Sequence, residues 1–317
     1  MTKSLNKDKK FNQDRIIWFK GELIKAKEAK VHVLSPTAQY GLNAFEGIRG
    51  YWSEDHNDLF IFRLDEHLKR LQRSCQILSI TSPYDFSEIT DAIIKVLHAN
   101  TFRCDVSIRV TLFVDEEGGW SSSNPVNMFV APIAKPRSDI NLENGKKGMI
   151  SSFERINDNS MPPRAKVGAN YINSRYAYLE AQSLSFDFPI MLDRMGKVSE
   201  SSGSCLMMFR DGVLVTPPNS ASIVESITRN TLLELSRKFN YTTEIRSVDK
   251  TELYSADEIF LCGSSVEIIP LISIDNHIIG NGATGSFTKK IYKEYLNVVT
   301  GSQPNWLTSV WKNSKVC

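Results

Sequence analysis

Four short stretches carry residues that can do chemistry. Lys166 lies in Met161–Asn170 (MPPRAKVGAN), where two prolines and a glycine predict a loop or strand edge just before a helix. A lysine amine can attack a carbonyl or shuttle a proton if its surroundings lower its pKa. Taken alone, a lysine in such a loop is a solvated surface group. Glu200 sits in Val198–Ser204 (VSESSGS), a turn of small residues after a strand, and alone reads as a loop carboxylate. Ser226 precedes Ile227 and Thr228 at the start of a predicted helix. It suits an N-cap, but the N–H groups of a first helical turn also hold anions such as phosphate. Cys262–Ser265 (CGSS) follows a strand and reads either as a plain turn or as a nest of N–H groups for an anion. No GxGxxG, Walker or HExxH pattern occurs, which removes the commonest competing chemistries.

These stretches need elements to position them. Leu64, Leu68, Leu71, Cys75 and Leu78 recur at helical spacing, predicting an amphipathic helix over 64–78. Phe86, Ile89, Ile93 and Val96 predict a second. Val106–Val114 alternates: Val106, Ile108, Val110, Leu112 and Val114 share one face, and Ser107, Arg109, Thr111 and Phe113 the other. The second half begins with a helix after Tyr171. Short strands follow at Phe188–Leu192, Lys197–Glu200, Leu206–Phe209 and Val213–Val215, the last two joined by an Asp211-Gly212 turn. A helix over about 227–239, a strand at Glu258–Cys262 and a helix over about 286–298 complete the series. Strands and helices in mixed order, with hairpins, predict an α+β fold. Lys135–Gly148 (KPRSDINLENGKKG) looks like a linker, dividing the chain into residues 1–134 and 149–317 around 135–148.

The chain of 317 residues is long enough for one large or two ordinary domains. A formal charge of +2 with dispersed basic residues gives no reason to expect nucleic acid or an anionic membrane as partner, and the Lys7–Lys10 cluster reads as solvated. The five cysteines are scattered and form no CxxC pair, so neither a disulfide framework nor a metal site is expected. The polar first fifteen residues have no signal-peptide core, and no run of roughly 18 apolar residues predicts a membrane span. A cytoplasmic protein is the resulting expectation.

Taken together, the motifs carry a resemblance. Tyr40–Arg49 (YGLNAFEGIR) resembles the YGxxxFEGIR segment of branched-chain aminotransferases, and Phe62–Leu71 (FRLDEHLKRL) their RLxxHxxRL helix entry. Ile108-Arg109, Lys166–Tyr171 (KVGANY), Ser199-Glu200 with Gly203, Asp211–Pro218, Ile227–Arg229 and Asp257–Ser264 follow in the family's order, from about residue 40 to 290. The chain is identified as a member of the class IV, fold-type IV family that uses pyridoxal 5′-phosphate (PLP). That resemblance implies a smaller N-terminal α/β domain, a larger C-terminal mixed β-barrel-like domain, and a homodimer or higher homo-oligomer in which the Asp115–Trp120 loop could reach a neighbour's site. It implies transamination between an L-amino acid, branched-chain, apolar or glutamate, and a 2-oxo acid. By the same resemblance Lys166 binds PLP, Tyr171 meets its O3′ and Glu200 its ring nitrogen. Arg63, the main chain of Ile227 and Thr228, and the Ser264 hydroxyl hold the phosphate. Tyr40 and Phe45 line the substrate pocket, and Gly47 leaves space beside the cofactor. Arg109 receives a distal carboxylate, and the main chain of Ser265 and Val266 meets the α-carboxylate.

The departures cluster near that site. Ser107 stands where the family has a tyrosine that helps hold the α-carboxylate, and Cys205 where an asparagine is usual. Glu225-Ser226 replaces Pro-Gly, and Ser264-Ser265 replaces Thr-Ala. Two alternatives stand beside the main reading. One is a specialised relative of the same fold, a D-amino-acid transaminase or an aminodeoxychorismate lyase. The other is a non-catalytic binding protein built on that fold.

Overall fold

The computed structural model describes residues 14–138 and 145–312. Residues 139–144 of the expected linker, the Lys7–Lys10 cluster and Cys317 lie outside the described residues.

Two sheets organise the chain. The first is antiparallel and seven-stranded. Its order is Leu307–Ser309, Asp58–Phe62, Asn43–Ser53, Val106–Val114, Val126–Ala134, Ile16–Phe19 and Glu22–Lys25. The edge strand Leu307–Ser309 comes from the far end of the chain. Helices Leu64–Ile77 and Phe86–Ala99 pack on one face, burying Leu64, Leu68, Leu71, Ile89, Ile93 and Val96 against Ile48, Val106, Ile108, Val110 and Leu112. The apolar face read from the Val106–Val114 alternation is therefore the helix-facing side. The second helix opens with a capping box, in which Glu88 N donates to Asp85 Oδ1 at 2.8 Å and Asp85 N to Glu88 Oε2 at 2.8 Å.

The second sheet closes on itself. Cys205–Arg210, Glu258–Gly263, Glu267–Ile274, Lys146–Ile150, Phe188–Leu192 and Val198–Ser201 pair in that order, and Glu200 then pairs with Cys205 to complete a six-stranded barrel. Val213–Thr216 and Thr242–Ile245 extend from it. Asp211 and Gly212 have φ of 51° and 79° in the hairpin between Cys205–Arg210 and Val213–Thr216. Positive φ at both turn residues suits the strand twist and explains why Asp-Gly stands there. The α+β expectation, with its barrel-like second part, holds. Among the described residues no helix is long and apolar enough to cross a membrane.

One buried network ties the first sheet to its helices. Glu46, on strand Asn43–Ser53, is fully buried. Arg70 grips it with a fork, Nε to Oε1 at 2.7 Å and Nη2 to Oε2 at 2.7 Å, and His67 Nδ1 lies 2.7 Å from Oε2. Burial alone would raise the Glu46 pKa, but Arg70 and then His67 outweigh it and hold the carboxyl well below its ordinary value. A depressed folded pKa stabilises the protein above the unfolded value, about 4.3 for glutamate, and this contribution is lost as pH falls. Removing one partner of such a buried pair costs about 3–5 kcal/mol. Glu46→Gln is therefore expected to lower the urea midpoint markedly at pH 7, by a margin that narrows below about pH 4.3. Urea titrations of both proteins from pH 7 to 3 check this, and a constant margin across that range would refute it.

Candidate active site

The face of the first sheet opposite the helices looks onto the barrel, and a cavity of about 490 Å³ lies between them. Strand Asn43–Ser53 explains the arrangement on its side. Side chains alternate along it, so Glu46 turned toward the helices puts Phe45 and Gly47 toward the cavity. Gly47 lies directly opposite Arg109 on the neighbouring strand. A Cβ at Gly47 would meet nothing within 4 Å, so the glycine keeps open space in the cavity wall. Arg109 reaches across, its guanidinium 4.3 Å from the centre of the Phe45 ring. Among the described residues no carboxylate pairs with it, although partial desolvation lowers its pKa, opposed by Tyr171 and Glu46.

Lys166 enters from the loop between strand Lys146–Ile150 and helix Tyr171–Ser183. Its main chain is fixed on both sides: its N–H donates to Ser74 Oγ at 3.0 Å, and its carbonyl accepts from Phe45 N at 3.0 Å. The Asn170 side chain clamps the loop by donating to the carbonyls of Pro162 and Ala165 at 3.0 and 3.1 Å. Lys166 Nζ donates to the Tyr171 hydroxyl at 2.7 Å. Tyr171 is the first residue of helix Tyr171–Ser183, and its ring lies 5.2 Å from that of Phe45.

The barrel supplies a buried carboxylate. Glu200 accepts from Arg155 Nε at 2.9 Å and from Val224 N at 3.2 Å. Burial raises its pKa, and Arg155, the Val224 N–H and Lys166 only partly offset that. The cavity end at Glu200 can therefore take a further proton donor. Cys205 lies beside it, with Sγ 4.0 Å from Glu200 Oε2, and burial pushes this thiol up to about 12. A thiol so shielded stays protonated and unreactive.

Elsewhere in the cavity, Ser226 caps helix Ile227–Lys238, its Oγ accepting from Arg229 N at 3.2 Å. Ser264, Ser265 and Val266 form the tight turn between strands Glu258–Gly263 and Glu267–Ile274 and also line the cavity. Of the residues read from the sequence, Phe45, Gly47, Arg109, Lys166, Tyr171, Glu200, Ser264, Ser265 and Val266 are brought together there. Ile227 and Thr228 do not themselves line it but follow Ser226 as the first turn of its helix, where N–H groups lack intrahelical partners. Tyr40 ends the short helix Pro36–Tyr40 and is exposed outside the cavity.

Arg63 requires a correction. Its guanidinium donates to Glu66 Oε1 at 3.1 Å and Glu234 Oε2 at 2.6 Å and stacks 3.9 Å from the Trp306 ring, away from the cavity. Two carboxylates occupy its terminal nitrogens and an indole covers its face, while its buried Nε has no hydrogen-bond partner among the described residues. Arg70, two helical turns further on, lines the cavity instead, with Nη1 donating to the Glu225 carbonyl at 2.6 Å. The signal was present in the same motif: Arg70 lies three residues from His67 on the buried side of an amphipathic helix. Arg155 had no comparable signal, being one charge in a polar SSFERIN stretch.

Comparison with known proteins gives this geometry its family. The family described as amino-transferase class IV matches residues 43–274. This chain belongs to that family. It is a PLP-dependent transaminase of fold type IV. Over 96% of its length it is 33% identical to a protein of Aquifex aeolicus described as a probable branched-chain-amino-acid aminotransferase, covering 99% of that protein. The branched-chain aminotransferase of Thermobaculum terrenum, solved in its PLP form, superposes with a TM-score of 0.88 at 36% identity, covering 95% of this chain and 99% of that one. The T.th. branched-chain aminotransferase, solved with N-(5′-phosphopyridoxyl)-L-glutamate, gives a TM-score of 0.87 at 34% identity, covering 93% and 98%.

For a PLP enzyme the exchange of Arg63 for Arg70 has a measurable consequence. A charge-assisted hydrogen bond contributes about 1.5–3 kcal/mol. Arg70→Lys keeps the charge but loses the N–H groups that Nη1 and Nη2 retain beyond Glu225 and Glu46, and is expected to weaken PLP binding by about ten- to a hundredfold. Arg63→Lys leaves it within about twofold. Cofactor titration of the two apoenzymes checks this, and the reverse order would restore Arg63.

Proposed function

We propose that this transaminase moves an amino group between a branched-chain or other apolar L-amino acid, or L-glutamate, and a 2-oxo acid. The reading is carried by one cavity that holds the Lys166–Tyr171 pair, buried Glu200, and an Arg109 without a carboxylate partner among the described residues. The relatives' descriptions as branched-chain aminotransferases support the apolar substrate, and the L-glutamate compound in the T.th. structure supports the second. Neither description favours the D-amino-acid or lyase alternative.

When bound, PLP supplies an aldehyde carbon for the amine and a ring that draws electrons from the substrate Cα. Lys166 is the amine that binds it and then moves the proton at that Cα. Tyr171, already bonded to Lys166 Nζ, orients the amine, and its hydroxyl would hydrogen-bond O3′ of the bound cofactor. Glu200 holds the proton on the ring nitrogen, since its burial favours a cationic or donating neighbour. Arg70, the Ser264 hydroxyl and the first-turn N–H groups of Ile227 and Thr228 hold the phosphate, with the helix dipole favouring the anion. Phe45 gives the substrate side chain an apolar wall, and Gly47 leaves that wall open. Arg109 receives the distal carboxylate of glutamate, and the main chain of Ser265 and Val266 the α-carboxylate. The exposed Tyr40 and Trp120 rings support a homodimer, and the free Cys75, Cys104, Cys205 and Cys262 suit a reducing cytoplasm.

Two outcomes test this reading. Lys166→Ala is expected to lose both turnover and the borohydride-fixed link to PLP, which mass spectrometry of the reduced protein reads. Retention of either would remove Lys166 from its role. Arg109→Met is expected to cut kcat/KM for glutamate by about ten- to a hundredfold while sparing leucine. Steady-state kinetics with both donors check this: an equal loss assigns Arg109 to the α-carboxylate, and no loss removes it from substrate binding.

A further inference from the structure

The face of the first sheet that looks onto the cavity continues past its last residue there. Gly47, Arg109 and Ala131 lie side by side across three strands, and Arg49, Ser107 and Ile133 form the next row. Lys135, two residues beyond Ile133, shares that face by the period of two, and its N–H pairs with the Asp105 carbonyl at 2.9 Å. Ser107 is small, so the row beside Lys135 lacks a phenol at that position. The ammonium crosses to the barrel, where Nζ donates to the Ser265 carbonyl at 2.5 Å and to Ser265 Oγ at 2.7 Å.

That contact belongs to a clamp on the Ser264–Val266 turn. Ser138 Oγ donates to the Val266 carbonyl at 3.3 Å, and Ser138 N to Glu267 Oε2 at 2.8 Å. Arg49 Nη2 donates to Glu267 Oε1 at 3.0 Å, while Nη1 holds the Lys135 carbonyl at 2.8 Å. Glu267 itself has φ of +58°, an uncommon conformation for a residue with a side chain. It is held there by the buried ion pair with Arg49. In a trans peptide the carbonyl and the following N–H point to opposite sides. By pinning the Ser265 carbonyl, Lys135 therefore fixes the opposite direction of the Val266 N–H.

We infer that Lys135 is a positioning residue for the substrate's α-carboxylate: it aims the Val266 N–H and brings a positive charge to a turn whose usual helper, a phenol at position 107, is replaced by serine. This rests on the reading that the Ser265–Val266 main chain receives the α-carboxylate. A neutral phenol attracts a carboxylate through one hydrogen bond, whereas an ammonium adds a field that acts on any anion at the turn.

The test uses the PLP-loaded enzyme and two unreactive ligands, 4-methylvalerate and its uncharged amide, titrated by the change in cofactor absorbance. Wild-type enzyme is expected to prefer the acid. Lys135→Met is expected to weaken acid binding by about tenfold and leave both the amide and PLP affinities unchanged, and Lys135→Arg to retain the preference. If wild-type enzyme shows no preference for the acid, the carboxylate assignment of the turn fails and the inference with it. If wild type prefers the acid but Lys135→Met keeps that preference, or loses acid and amide equally, Lys135 is structural only and the inference alone is overturned.

Discussion

Removing a carboxylate from water costs several kcal/mol unless cations and donors surround it, and Glu46 is fully buried. Its neutralisation fixes three elements at once. The Arg70 fork sets the rotation of helix Leu64–Ile77 on strand Asn43–Ser53, and His67, one turn earlier, holds the same face. The remaining Arg70 nitrogen grips the Glu225 carbonyl, just before helix Ile227–Lys238. A strand of the first sheet is thus referenced, through one side chain, to the mouth of a helix that packs on the barrel. With Glu46 turned inward, Phe45 and Gly47 must face the cavity.

The cavity keeps its charges apart by giving each a separate partner. Glu200 is paired with Arg155, not with Lys166, and the Lys166 amine rests on the Tyr171 hydroxyl. Arg155 and the Val224 N–H leave Glu200 with a pKa still above its ordinary value, because burial outweighs them. On the proposed reading of the site, a ring N–H group meets that residual need for a proton donor.

Where one period governs a segment, the sequence was legible. Val106–Val114 and both helices on the first sheet follow the alternation or helical spacing of their residues, and Phe188–Leu192 is a short continuous apolar run. Strand Asn43–Ser53 was not legible as a strand. Its two charged residues, Glu46 and Arg49, are both buried, and Gly47 and Gly50 interrupt the apolar pattern. Tertiary pairing overrides local preference there. The same cause explains Arg63 and Arg70. Both stand in one motif, and which of them turns to the cavity depends on Glu66, Glu234 and Trp306, of which two are remote in sequence. The barrel's closure through Glu200 and Cys205 is a single pairing that no local pattern announces.

The departures from the family pattern fall into two groups with different physics. At the cofactor end, a thiol replaces an amide beside Glu200. Cys205 Sγ lies 4.0 Å from the carboxylate and 3.7 Å from the Val224 carbonyl, and a thiol is a weak donor. Arg155 and the Val224 N–H are left as the strong donors to Glu200, and on the proposed reading a ring N–H group is the further donor that its raised pKa favours. At the substrate end, the row that lost a phenol at Ser107 retains Arg49 in the same register and leads into Lys135. Arg49 is fixed by Glu267 and two carbonyls, so its charge is neutralised locally. Lys135 instead carries its ammonium onto the turn itself, at the carbonyl and hydroxyl of Ser265. On the proposed reading of the site, substrate selection then rests on the electrostatics of the turn rather than on a directional neutral donor. That reading favours any 2-oxo or amino acid whose carboxylate would reach Val266, and it leaves discrimination among side chains to Phe45, Gly47 and Arg109.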